Sequence, residues 1–314
     1  MPISLVIFAS LFPELQTLTH QTSSHHAAAP LPKTAALSEV TAQDGPDALI
    51  AARYRTDDPA SPRDWNDVLA TLLAHRSIRA YKPDPLPEGT IETLVAAAQS
   101  AASSSNLQSW SVVAVTDPAR KARLAEVTGG QKHILQAPVL LVWLADLNRL
   151  NALGEERQQQ VEALDYLETL FVGIIDAALA AQNAVIAAES LGLGTVYIGA
   201  LRNDPERVAA ELNLPPKVLP VFGLCLGYPD PQVVSGIKPR LAPSLVLHQE
   251  TYGAGYESAA VAAYDAAIQG LQVEQGIPQM PWSRQALNRV AGPQSLSGRD
   301  RIRDALAGLG FVLR

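Results

Sequence analysis

The sequence predicts a mixed fold in which helices are interleaved with four or five short strands. Three observations carry this. Short apolar runs are bounded by turn residues, as strands are. Val139-Leu140-Leu141-Val142-Trp143-Leu144 lies between Pro138 and Asp146, and Val221-Phe222-Gly223-Leu224-Cys225-Leu226 closes on Gly227. Amphipathic stretches with apolar residues three and four apart lie between such runs. One long stretch, Tyr166 to Ser190, is apolar on both faces: Leu167, Leu170, Phe171, Ile174, Ile175 and Ala178 on one, Val172, Leu179, Val185 and Ile186 on the other. A helix apolar all round needs neighbours all round, in the middle of a domain or of a dimer.

The chain starts with an apolar stretch, Ile3 to Phe12, that has no positive charge before it and is not read as a signal peptide. Gln21 to Ala60 is rich in Ser, Ala, Pro and Asp and has little periodicity. Residues 1–60 are therefore expected to form a loosely packed or disordered extension, with the domain boundary between Arg53 and Asp64. His25-His26 has no partner ligand nearby and reads as solvated tail. The first helix runs from Trp65 to Ala74 and ends at His75-Arg76-Ser77-Ile78-Arg79. Two guanidinium groups three residues apart can converge on one anion, and Ser77 adds a hydroxyl donor. Phosphate is the obvious ligand. An exposed charge pair beside a turn is the other reading, and these five residues alone leave both open.

Tyr81 to Pro87 is extended or turning chain, because each proline disfavours helix just before it. Glu88 to Ser100 has a helical stripe of Ile91, Leu94, Val95 and Ala98. Ser103-Ser104-Ser105-Asn106 follows, a cluster of small donors that suits a loop or a site. Trp110 to Thr116 reads as a strand, Asp117-Pro118 starts a helix through Leu124, and Gly129 to His133 turns into a short helix. Ala137 to Ala145 is a strongly apolar strand, ended by Asp146 to Arg149, and Glu155 to Glu162 is charged and exposed. Gly192 is placed to terminate the long helix in a left-handed cap. Thr195 to Gly199 is a strand, Asp204-Pro205-Glu206 starts a helix, and Val218 to Leu226 is a further strand. Gly192-Leu193-Gly194 is not a dinucleotide fingerprint: it follows a helix, precedes a strand and lacks a third glycine. Lys238-Pro239-Arg240-Leu241 is a second basic pair in apolar surroundings, and helices are expected around Glu257 to Gln269, Ser283 to Val290 and Gly298 to Leu309.

At 314 residues the chain can form one large or two modest domains. Its net charge of -7 argues against general nucleic-acid binding. Cys225, the one cysteine, excludes a disulfide framework and an all-cysteine metal site, and its strand context makes it an inert core thiol. No uninterrupted run is expected to span a membrane, since Asp176, Gln182 and Asn183 break Leu170 to Ala188. No metal-ligand, Ser-His-Asp or paired-carboxylate arrangement emerges, and His133 and His248 stand isolated. Chemistry carried by a bound cofactor fits such a chain.

A set of blocks now acquires meaning together: His75 to Arg79, Ser103 to Gln108, Thr128 to His133, Gln182-Asn183-Ala184, Ala187 to Gly194, Val196 to Gly199, Gly223 to Pro229 and Lys238 to Leu241. In their order and spacing the chain resembles flavin-dependent nitroreductases, most of all the oxygen-insensitive NADPH-nitroreductase (major type) and NADPH-flavin oxidoreductase branch. The resemblance runs from about Trp65 to Arg314. It implies an α+β fold over residues 61–314, a central mainly antiparallel sheet flanked by helices, with a C-terminal helical extension. It also implies an intertwined homodimer with FMN at the subunit interface.

The resemblance further implies that His75, Arg76, Ser77 and Arg79 grip the flavin phosphate and ribityl chain, with Lys238 and Arg240. Ser103, Ser105 and Gln108 would line the flavin from the partner subunit, with Gln131 as another contact. Tyr197, Ile198 and Gly199 would lie against the ring, and Ala200 stands where the family usually has glycine. The implied activity is ping-pong hydride transfer from NADPH, or NADH, through flavin N5 to nitroaromatics, quinones or free flavin. No side-chain acid or base is then essential for the first step. Small-molecule acceptors and a second copy of the chain are the expected partners, not nucleic acid or membrane, and the expected location is cytoplasmic. A flavin reductase and a non-enzymatic flavin-binding protein remain as alternatives. The family's mobile 2′-phosphate-binding loop corresponds to Val273 to Trp282, which has no arginine and includes Glu274. Arg284, Arg289, Arg202 and Lys132 are the substitutes within the chain, and weak discrimination between NADPH and NADH is expected.

Overall fold

The computed structural model describes residues 40–55, 64–253 and 255–314. The expectations for Ile3 to Phe12 and for His25-His26 lie outside the described residues. In order, the elements are α1 (Gly45–Tyr54), α2 (Asp67–Ala74), α3 (Thr90–Gln99), β1 (Trp110–Val115), α4 (Pro118–Val127), α5 (Lys132–Gln136), β2 (Val139–Asp146) and α6 (Asn148–Glu156). They continue with α7 (Leu167–Ser190), β3 (Gly194–Ile198), α8 (Pro205–Glu211), β4 (Val218–Gly227), α9 (Ser258–Glu274), α10 (Trp282–Arg289) and α11 (Ile302–Gly308). Capping explains several starts. Asn66 accepts from the Leu69 N–H at 2.9 Å, Asp117 from Arg120 and Asp204 from Arg207, the last two just ahead of a proline at the first helical position.

The four strands form one antiparallel sheet in the order β1-β2-β4-β3, which is the expected α+β arrangement. β2 is central and buried on both faces, so its side chains split by alternation. Leu140, Val142 and Leu144 face a cluster with Cys225, Leu124, Ile134 and Leu201. Val139, Leu141 and Trp143 face Ala180, Ala181, Ala184 and Ala188 of α7. Cys225 is fully buried, and burial pushes its thiol pKa up to about 12, as an inert core thiol requires.

Two expectations need correction. Residues 40–55, placed in a loose extension, are packed: Leu49 is fully buried and Ile50 nearly so, in a cluster with Ala70 of α2 and Ile237. Leu49, Ile50 and Arg53 share one face of α1, a pattern too short to stand out within a Pro- and Ala-rich stretch. Helix α6 occupies a stretch read as strand end and exposed loop. Helix α7, apolar all round and expected in the middle of a domain or of a dimer, is covered within one chain on one side. Leu170, Ala177, Ala181 and Ala184 are buried, while Phe171 and Ile175 are 51 % and 55 % exposed. By length and mean hydropathy alone α7 is long and apolar enough to cross a membrane. It is nevertheless a core helix. Asp176, which interrupts its apolar run, is buried and accepts three hydrogen bonds from residues 103, 104 and 109.

Candidate active site

The segment after α2 explains how the first basic block reaches its place. His75 leaves the helix with φ -50 and ψ 132, and the chain then runs beside β3. The Ile78 N–H donates to the Thr195 carbonyl at 2.8 Å. Extended chain alternates sides, so Ile78 enters the core while Ser77 and Arg79 turn the other way. Ile78 sits on Gly194, where a Cβ would fall 2.6 Å from its Cγ1. This contact and the positive φ of Gly192 at the end of α7 account for the two glycines.

Ser77 and Arg79 line a cleft of about 580 Å³ together with His75, Arg76, Lys238 and Arg240. Tyr264, Ile268 and Leu271 of α9 and Trp282 of α10 form its opposite wall. Among the described residues the lining contains no carboxylate. The Lys238 ammonium is partly desolvated, and this, with the charges of Arg79 and then Arg240, lowers its pKa. Basic groups gathered in a cleft with no carboxylate among its described lining suit a dianion such as a phosphate monoester, and the volume suits a cofactor. His75 Nδ1 lies 2.6 Å from Glu189 Oε1. A carboxylate only accepts, so Nδ1 is the donor and Nε2 is the ring edge left for the cleft. Arg76 is less available than expected, since its guanidinium donates to the carbonyls of Val40, Ala74 and Ser235.

The other expected residues do not line this cleft. Ser103 donates to Asp176 at 2.7 Å and accepts the Gln108 N–H at 2.7 Å, so its hydroxyl anchors its own loop. Ser105 and Gln108 are exposed, and Ser105, Asn106 and Gln108 all hold left-handed backbone, with φ of 48, 53 and 52. Such strain in non-glycine residues persists only where surrounding bonds hold it. Gln131 donates to the Thr128 carbonyl at 3.3 Å, after Gly129 and Gly130 with positive φ. The neighbouring His133 has its pKa lowered by burial and by the Arg79 charge, which brings this turn within electrostatic reach of the cleft. At the end of β3, Tyr197 is partly exposed, packs edge-on to Phe222 and donates to Gln182. The Ile198 side chain is buried, leaving only its backbone for a ligand. Ala200 packs against the core cluster that holds Ile198.

Residues 72–131 and 121–228 match the Nitroreductase family, and residues 238–314 match the Nitroreductase family, C-terminal domain. The chain belongs to the nitroreductase family. It is a flavin-dependent nitroreductase-like oxidoreductase, close to the NADPH-nitroreductase and flavin-oxidoreductase branch. It is 40% identical over 228 residues to an FMN reductase (NADPH) of Bacillus subtilis, covering 71% of this chain and 91% of that one. It is 45% identical over 181 residues to an oxygen-insensitive NADPH nitroreductase of Salmonella typhimurium, covering 58% and 72%. The structure matches the NADPH:FMN oxidoreductase of Vibrio harveyi complexed with NAD+, with a TM-score of 0.70 and 34% identity, over 79% of this chain and all of that one.

Sequence reasoning misses three residues that hold the cleft and the 103–109 loop in place. Glu189 pairs with His75, Asp176 holds the 103–109 loop, and Arg53 donates to the carbonyls of Leu73, His75 and Lys238. Charge within the apolar pattern is the available signal for Asp176 and Glu189. Arg53 gives none, because it falls within the stretch read as extension.

Proposed function

We propose that the chain binds FMN and passes hydride from NADPH to electron-poor acceptors such as nitroaromatics and quinones, by a ping-pong mechanism. The observation that carries the reading is the cleft, with no carboxylate among its described lining, in which Ser77, Arg79, Lys238 and Arg240 converge. These residues would hold the phosphate and ribityl end of FMN, with His75 Nε2 as a further polar contact. Bound flavin supplies the hydride acceptor and donor. The chain's own part is to hold it, to favour negative charge on it through Lys238 and Arg79, and to bar water with the α9 and α10 wall. The backbone at Ile198 and Gly199, where β3 ends, would face the ring edge.

A homodimer completes this reading. Leu167, Phe171, Ile175 and Leu179 form an exposed apolar stripe at helical spacing along α7, the kind of surface a second copy covers. Ser105 and Gln108 would then reach the partner's flavin. Free flavin as acceptor is a second reading, favoured by the FMN reductase from Bacillus subtilis among the relatives.

Anaerobic stopped-flow reduction of the purified protein by NADPH and by NADH, followed at the flavin absorbance, tests the proposal. Rapid bleaching by the donor alone, then reoxidation by a nitroaromatic in a separate mixing step, is the expected result. A protein that takes up no FMN, or one reduced only when donor and acceptor are both present, refutes it.

A further inference from the structure

We propose that Arg53 is a positioning residue that fixes the two basic segments of the cleft relative to each other. Helix α1, which lies outside both regions matched to the family, is thereby a working part of the phosphate end of the site. The proposal rests on the reading of the cleft as the FMN phosphate site.

Arg53 is 6 % exposed and does not line the cleft. One terminal nitrogen donates to the Leu73 carbonyl at 2.7 Å and the His75 carbonyl at 2.9 Å, where the first basic segment begins. The other donates to the Lys238 carbonyl at 2.9 Å, in the second. The carbonyl of Arg53 itself accepts the Arg240 N–H at 2.9 Å. A planar guanidinium with fixed donor directions sets the separation of the groups it bridges, which a lysine ammonium cannot do. Burial and the nearby Arg240 push the Arg53 pKa down to about 10, so it remains charged at neutral pH. A buried cation among other cations costs stability unless its surroundings are built around it. Here the three carbonyls form that surrounding, and they belong to the segments carrying His75 and Lys238.

A second contact set points the same way. Arg55, at the end of α1, meets Glu274 of α9 with both terminal nitrogens, at 2.7 and 2.8 Å. Helix α9 in turn reaches the second basic segment, where the Tyr264 hydroxyl donates to the Pro239 carbonyl at 3.0 Å. Helix α1 therefore braces both basic segments and the facing wall.

The test compares FMN with riboflavin, which lacks the phosphate, on apo protein of the full chain at one salt concentration. The wild type binds FMN more tightly. Arg53→Met lowers the FMN-to-riboflavin affinity ratio about tenfold or more while riboflavin affinity stays within about twofold, and Arg53→Lys restores only part of the ratio. An unchanged ratio in Arg53→Met, even in a less stable protein, overturns the proposal. A wild type that binds both flavins alike overturns the cleft reading and the proposal with it. Should Arg53→Met not fold, hydrogen exchange of the wild type decides: FMN slows exchange at the Arg240 amide and along α1 more than riboflavin does. Equal protection by the two ligands overturns the proposal.

Discussion

Asp176 offers a perturbation whose size follows from its bonds. Its carboxylate is buried in α7 and accepts from the Ser103 hydroxyl at 2.7 Å, the Ser104 N–H at 3.2 Å and the Ser109 N–H at 3.2 Å. Oδ2 takes two of these and Oδ1 one. Asp176→Asn can keep an oxygen at the Oδ2 position, but its NH₂ group then faces the Ser104 N–H. One bond to a charged acceptor is lost and one donor is left opposed, for a cost of about 2 kcal/mol. Asp176→Ala removes both acceptor oxygens and all three hydrogen bonds and strands two backbone donors, for about 4 kcal/mol once non-additivity is allowed for. Urea unfolding of the apo proteins at fixed concentration reads both values from the midpoint and slope. The loop also loses what holds Ser105, Asn106 and Gln108 in left-handed backbone, so proteolytic cleavage within 103–109 speeds up in both variants. A loss below about 1 kcal/mol in Asp176→Ala would refute the account of this loop as held by one buried carboxylate.

Three further outcomes are expected. Lys238→Met removes a desolvated charge and its repulsion from Arg79 and Arg240, so the apo protein gains stability at neutral pH while FMN affinity falls. With Lys238 in place the folded pKa lies below the unfolded one, so apo stability rises with pH through the depressed value up to the ordinary lysine range, and the variant loses that slope. Phe171→Asp, at the centre of the exposed α7 stripe, shifts sedimentation from twice the chain mass to a monomer; an unchanged dimer argues against this interface. The ratio of reductive efficiencies for NADPH and NADH is about tenfold or less, roughly 1.4 kcal/mol. Glu274, a negative charge that would repel a 2′-phosphate, is paired with Arg55, and Arg289 and Arg202 donate to the carbonyls of Ser295 and Val221. A preference of about a thousandfold would show that a strong clamp exists, to be located by alanine replacement of Arg284, Arg289 and Arg202.

Sheet and helices are legible because period and capping are local. β2 reads directly from seven consecutive apolar residues, Val139 to Ala145, and α4 and α8 from an acidic cap followed by proline. The basic segments are legible because charge stands out beside Ile78 and Ile237, which the core requires. What escapes is set by tertiary contact. Arg53 meets Lys238 from 185 residues away, and Glu189 meets His75 from 114. Nothing in local periodicity marks either side chain as a partner of a segment that distant. The exposed side of α7 escapes for a related reason: apolar pattern shows that a face will be covered and not by what.

The buried side of α7 is built from residues with almost nothing to lose. Ala177, Ala180, Ala181, Ala184 and Ala188 are at most 1 % exposed. Truncation, the usual source of core damage, has only a methyl group to remove there. Enlargement is the opposite case, because interiors are close-packed and each added methylene must push the helix from the sheet. Random substitution along this face should therefore give a lopsided spectrum, with Gly and Ser often tolerated and Val, Leu and Phe excluded. Since Asp176 rides on the same helix, a bulky residue at Ala177 or Ala180 would register at the 103–109 loop as well as in the core.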